Sequence, residues 1–193
     1  MSLTLLDWRR SVAALYAAAR ADAERDPDGA LARFRGGRDR LFREHPDSPL
    51  PADRRAAFAG VRYWPRDPTL RFEAAVEEAE PLRVGSASVT GESFALSRIG
   101  TVRLPVGDLE VYWIDVYGGG VFVPFRDGTS GRETYGAGRY LEPEELPGGR
   151  LRVDFNMAYN PYCAYNDAWS CPLPPAENRL SVRIEAGEKK YHD

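Results

Sequence analysis

Residues 125–141, FRDGTSGRETYGAGRYL, set arginines, threonines and a serine among glycines, between two strand-like runs. A loop of this kind can present backbone amides and hydroxyls to an anion or a polar ligand. Its candidate ligand groups are Thr134, Tyr135 and Arg139, and Arg139, which opens the following strand, is expected to engage the anionic group. A long β-hairpin whose glycines only meet backbone needs has the same composition. No strand–glycine–helix phosphate pattern decides between the two.

The second candidate is a carboxylate. In residues 150–156, Leu151, Val153 and Phe155 alternate with Arg152, Asp154 and Asn156, so Asp154 and Asn156 share the face opposite the apolar one. Asp154 can act as a general base or bind a cation. It can equally cap loop amides or pair with an arginine such as Arg139. A hairpin through Pro147-Gly148-Gly149 is expected to bring Arg139 and Asp154 together on adjoining strand ends.

The third candidate is the block at residues 154–180, DFNMAYNPYCAYNDAWSCPLPPAENRL. It neither alternates like a strand nor carries the glycine, serine and charge of a solvated loop. It must hold a specific irregular shape, with amide side chains bonding backbone. Asn160-Pro161 reads as a turn, and Asn156, Asn166 and Asn178 can each donate and accept. Tyr159, Tyr162, Tyr165 and Trp169 either line an aromatic pocket or pack against the helical arm. The PLPP run at 172–175 reads as a rigid polyproline II strap across the core.

Cys163 and Cys171 fit neither a CxxC redox motif nor a zinc spacing. With only His45 and His192 in the chain, neither a metal nor a cofactor is expected. The cysteines read as reduced, non-catalytic thiols, with a disulfide across a turn as the alternative in a secreted protein. Ser130 lies in TSG, outside any nucleophile elbow. His45 precedes Pro46 and reads as structural, at a helix C-terminus.

The elements that position these groups change near residue 60. Before it the apolar period is helical: Leu5, Trp8, Val12, Leu15, Tyr16 and Ala19 form one face. That face favours an amphipathic helix over a twin-arginine signal at Arg9-Arg10. Thr4 to Asp7 resembles a capping box, Asp28 is the expected cap of a second helix, Gly36-Gly37 is a candidate break, and a short helix is expected at 54–58. After residue 60, strands are expected at 71–77, 82–89, 94–96, 101–104, 109–117, 121–125, 138–141, 150–155 and 180–185, with turns at Thr90-Gly91, Gly107-Asp108, Gly118-Gly119-Gly120 and Asp127-Gly128. The expected class is α+β: a single domain, 1–193, with a helical arm (1–60) packed on a mainly antiparallel β-sandwich or flattened barrel (61–193) that carries a long ordered loop at 156–178.

With 193 residues, a net charge of −3 and interspersed acids and bases, the chain has no field to steer it onto nucleic acid. No apolar run reaches the roughly 20 residues a membrane helix needs, and a cytoplasmic location is expected.

VFVPFRDGTSGRETYGAGRYL, VDFNMAYNPYCAYN and WSCPLPPAENRLSVRIEAGEK strongly resemble the bacterial and archaeal domain-of-unknown-function 1684 family. The resemblance covers nearly the whole chain and implies no established activity. The leading functional expectation is a binding domain for a small polar or aromatic ligand, held between the 126–140 loop and the 156–178 block. Arg139 would meet an anionic group, Asp154 and Asn156 would fix the orientation, tyrosines such as Tyr159 and Tyr165 would supply stacking area, and Asn160, Asn166, Glu177 and Asn178 complete the candidate ligand residues. The alternatives are a hydrolase or isomerase with Asp154 or Glu177 as general base, and a homodimer joined through the Tyr/Trp/Pro surface.

Overall fold

In the computed structural model, which describes residues 3–88, 90, 91, 93–114 and 120–192, the chain forms two compact units, Met1–Val61 and Arg62–Asp193. The first holds α1 (Leu3–Asp22) and α2 (Pro27–Glu44). Trp8 packs on Phe42, Tyr16 on Phe34 and Phe42 on Phe58, so the helical unit carries an aromatic cluster of its own. Asp26, not Asp28, caps α2. Its carboxylate accepts the Gly29 N–H at 3.0 Å, and Pro27 takes the first helical position, where a missing N–H costs nothing. Thr4 lies within α1 instead of capping it. The Gly36-Gly37 pair does not break α2. A Cβ on Gly37 would sit 2.4 Å from Leu15 Cδ2, so this glycine permits close approach of the two helices. The short helix expected at 54–58 is a 3-10 turn at Ala52–Arg54. His45 caps the C-terminus of α2; its Nδ1 accepts the Asp47 N–H at 3.0 Å and its Nε2 faces Asp7 at 3.2 Å.

The second unit is one antiparallel seven-stranded sheet curled into a half-barrel, which gives the chain its α+β class. Its strands are β1 (Arg71–Ala87), β2 (Ser93–Leu104), β3 (Gly107–Ile114), β4 (Val121–Phe125), β5 (Arg139–Leu141), β6 (Glu144–Leu146) and β7 (Arg150–Asp154), in the order β5-β4-β3-β2-β1-β7-β6. β1 and β2 each join two of the expected strands across a register shift. The shift in β1 lies between Glu78 and Leu82 and contains Pro81, a residue with no N–H for a regular ladder. The shift in β2 lies between Arg98 and Gly100, where a Cβ would meet the Glu77 carbonyl at 2.6 Å. The ends of the expected strands at 82–89 and 109–117, and Gly118-Gly119 of the expected turn, lie outside the described residues.

One face of the sheet carries the main core, including Val102, Val111, Val123, Phe125, Leu141, Val153, Phe155 and Ile184. A second cluster gathers Leu96, Tyr112, Phe122 and Tyr140 beneath Cys163 and Cys171 of the irregular block. The strand expected at 180–185 does not form.

Gly187 holds φ +73°, and a Cβ there would lie 2.5 Å from the Ala158 carbonyl oxygen. Gly187→Ala is therefore expected to destabilise the fold by more than about 1 kcal/mol. The check is a lower urea midpoint with an unchanged denaturant slope.

Candidate functional site

The 126–136 loop begins where β4 ends. Asp127 turns inward and is buried, as are Thr129 and Thr134. Asp127 Oδ2 accepts the Thr129 N–H at 3.1 Å, the Thr129 hydroxyl at 2.8 Å and the Ile184 N–H at 2.7 Å. The Thr129 and Thr134 hydroxyls meet at 2.8 Å, closing the turn. Thr134 is thus consumed inside the loop.

Arg139 is fully buried, and its counter-charge is Asp127, at 3.3 Å from Nη2. The other bonds of Nη1 and Nη2 go to backbone, while Nε is buried without an acceptor among the described residues. Nη2 donates to the Ile184 carbonyl at 2.9 Å, and Nη1 to the carbonyls of Ala186 and, at 3.2 Å, Glu188. Burial pushes the guanidinium pKa down, and the neighbouring Asp127 carboxylate opposes that shift. Together the pair holds segment 184–188 against the sheet without a β-ladder.

The expected meeting of Arg139 and Asp154 does not occur. The Pro147-Gly148-Gly149 hairpin pairs β7 with β6, and the other neighbour of β7 is β1. Arg139 lies on β5, which pairs with β4. Asp154 instead caps a 3-10 turn, accepting the Asn156 N–H at 2.9 Å, with Arg71 Nε at 3.9 Å.

The amides are likewise bound to the fold. Asn156 donates to the Asp67 carbonyl and accepts the Asp67 N–H, both at 2.8 Å. Asn178 accepts the Glu110 N–H at 2.7 Å and donates to the carbonyls of Glu110 and Pro124. Asn160 donates to the Lys189 carbonyl at 2.8 Å, and Asn166 accepts the Ala168 N–H at 3.0 Å. Buried Glu188 accepts the Asn160 N–H at 2.7 Å and the Tyr165 hydroxyl at 2.6 Å. Tyr159 instead reaches Glu142 at 2.7 Å and packs on Tyr140, while Tyr162 pairs with Trp169. The tyrosines therefore diverge and do not line one pocket. Glu177 is exposed. Tyr135 donates its hydroxyl to Cys163 Sγ at 3.6 Å, and both cysteines are free thiols.

A groove of about 370 Å³ borders the same loop, lined by Arg126, Asp127, Gly128, Ser130, Gly136 and residues 179–181; the Asp127 side chain is itself fully buried against Arg139. Arg126 and Arg179 are partners in a parallel bridge, held by Arg126 N–H to the Asn178 carbonyl at 2.9 Å and Leu180 N–H to the Arg126 carbonyl at 2.8 Å. Neither guanidinium has an acceptor among the described residues, and Arg126 Nε is buried without one. Sequence reasoning singled out neither arginine, because nothing local to Arg126 or Arg179 marks it as uncompensated. Only the inward turn of Asp127 onto Arg139 exposes the imbalance. No group of three or more His, Cys, Asp or Glu able to hold a metal occurs among the described residues.

A helical pair followed by a curled antiparallel sheet with a side-chain-locked C-terminal segment defines the class of this protein. The profile of the family described as "Protein of unknown function (DUF1684)" matches residues 56–189, and the chain belongs to that family. It is similar to the solution NMR structure of an uncharacterized protein from Haloarcula marismortui. The two are 35% identical with a TM-score of 0.61, over 88% of this chain and 96% of that one. No curated protein matches the sequence.

Removing either member of a buried pair strands the other charge. Asp127→Ala and Arg139→Met are each expected to cost about 3–5 kcal/mol. The double variant should lose less than the sum, because both singles break the same contact. Urea unfolding of the four proteins measures the cycle, and strict additivity would show that the two residues act separately.

Proposed function

We propose that the protein binds a small molecule through a doubly charged anionic group, phosphate-like or dicarboxylate, in the groove between the 126–136 loop and residues 179–181. One observation carries this reading: Arg126 and Arg179 stand side by side on bridged backbone, facing one groove, with no counter-ion among the described residues. Like charges at bridged positions oppose each other, and a buried donor without an acceptor costs free energy. An anion received by both guanidiniums relieves both costs, and arginine's planar fork suits phosphate and carboxylate oxygens. The volume lies at the low end for ligand sites, which fits a small metabolite.

The groove favours binding over general-base catalysis. The carboxylate of Asp127 is turned away to Arg139, and neither Asp154 nor Glu177 lines the groove. Ser130 and Ser181 supply neutral hydroxyls at its rim.

The test is isothermal titration with inorganic phosphate and pyrophosphate at constant ionic strength, with chloride as control. Saturable binding is expected. Arg126→Gln and Arg179→Gln should each weaken it about tenfold to a hundredfold, the worth of a charge-assisted hydrogen bond. Because neither guanidinium has an acceptor among the described residues, stability should stay within about 0.5 kcal/mol of the parent. Binding that is unaffected by both substitutions, or no binding by any anion tried, would refute the assignment.

A further inference from the structure

The second cluster holds chemistry that the groove does not use. Cys163 and Cys171 are the only cysteines, and the nine-residue segment they bound folds back so that Cys171 Sγ reaches the backbone of Cys163. The Cys163 N–H points at Cys171 Sγ at 3.4 Å, and the Tyr135 hydroxyl donates to Cys163 Sγ at 3.6 Å. The Tyr140 hydroxyl is taken by the Pro172 carbonyl at 2.5 Å, which ties down the chain next to Cys171. Both thiols are buried, at 4% and 8% exposure, but residues 167–169 between them are exposed. A short, exposed connection is the part of a fold that opens at least cost.

We propose that Cys163 and Cys171 are a reversible oxidation site, converted to an intramolecular disulfide by a low-molecular-weight disulfide such as oxidised glutathione. The Cys163 thiolate attacks one sulfur of R–S–S–R. A Cys163–S–S–R bond forms, the R–S–S–R bond breaks, and R–S⁻ leaves. Cys171 then gives up its proton, and its thiolate attacks Cys163 Sγ. The Cys163–Cys171 bond forms, the bond to R breaks, and the second R–S⁻ leaves. The chain loses two electrons and two protons, and one R–S–S–R becomes two R–SH.

The order of attack follows from the hydrogen bonds. Cys163 receives the Cys171 thiol first and the Tyr135 hydroxyl second, and these donors lower its pKa to about 7. The same contact raises Cys171, which therefore keeps its proton until the mixed disulfide has formed. A thiol with a pKa near ambient pH is the best attacking group in exchange. Neither cysteine nor Tyr135 lines the anion groove, and the proposal does not depend on it.

The experiment treats the full chain with oxidised glutathione, quenches with acid and reads intact mass without reductant. The parent should lose two hydrogens and carry no adduct. Cys171→Ala should instead accumulate one glutathione adduct, on Cys163, and Cys163→Ala should react at least tenfold more slowly. Tyr135→Phe keeps the ring and removes one donor, so the pH profile of the first step should move to higher pH. Circular dichroism establishes that each variant is folded. Two free thiols in the folded parent, under conditions that oxidise the urea-unfolded chain, would overturn the proposal. So would a stable adduct on the parent, or faster attack at Cys171 than at Cys163.

Discussion

The buried Asp127–Arg139 pair sets the conditions for the rest of the sheet unit. A guanidinium with no solvent exposure is costly unless its charge is matched and its donors are largely taken. Asp127 supplies the charge, and the carbonyls of residues 184, 186 and 188 take the donors of Nη1 and Nη2. Those carbonyls belong to a segment that forms no strand, so the arginine does for residues 184–188 what a ladder does for a strand. The carboxylate works from the other side, accepting the Ile184 N–H. Loop, strand β5 and C-terminal segment are thereby fixed by two side chains, with the Phe125 ring 5.2 Å from the guanidinium.

The same logic extends along the C-terminal segment. Glu188 is buried one residue beyond Gly187, whose positive φ lets the chain pass against the Ala158 carbonyl. Its carboxylate collects an amide from Asn160 and a hydroxyl from Tyr165, so it anchors the irregular block from below. Asn178 joins the backbones at Glu110 and Pro124. The amide-rich composition of the block is explained by backbone that must be satisfied where neither helix nor sheet supplies a partner. Side chains that invite a ligand-binding reading are here the solution to a folding problem.

This explains what the sequence made legible and what it hid. Local signals carried the class, the two helices and strand β4, because alternation and capping act over a few residues. Leu151, Val153 and Phe155 share the core face that their alternation implies. Two signals misled. The expected strands stop at 77 and 96 and resume at 82 and 101, yet long strands run through Pro81 and Gly100, because register shifts accommodate a missing donor and a missing side chain. Residues 180–185 have a strand-like composition, yet they are held by two scattered backbone bonds, Leu180 N–H to the Arg126 carbonyl and Gly128 N–H to the Val182 carbonyl, and by the side chains of residues 127 and 139, which no local pattern encodes. The expected Arg139–Asp154 contact failed for a related reason. Pairing across a hairpin is local, and β6 (Glu144–Leu146), too short to stand out in the sequence, took the place beside β7 that was assigned to β5.

The groove shows why net charge is a poor guide to a site. The chain is net negative, yet its acids are largely spent on particular arginines. Glu73 holds Arg150 and Arg152, Glu77 and Asp108 hold Arg103, and Glu133 and Glu185 hold Arg183. Arg183 is the instructive case. Its Cγ lies within 3.0 Å of where a Cβ on Gly128 would sit, so it reaches the groove wall, but two carboxylates neutralise it. The uncompensated charge there is thus confined to Arg126 and Arg179. A polyanion such as nucleic acid draws affinity from many phosphate contacts spread along its length. Two guanidiniums beside a neutralised Arg183 give two forks and no extended basic track, which is the arrangement that the proposed small dianion requires.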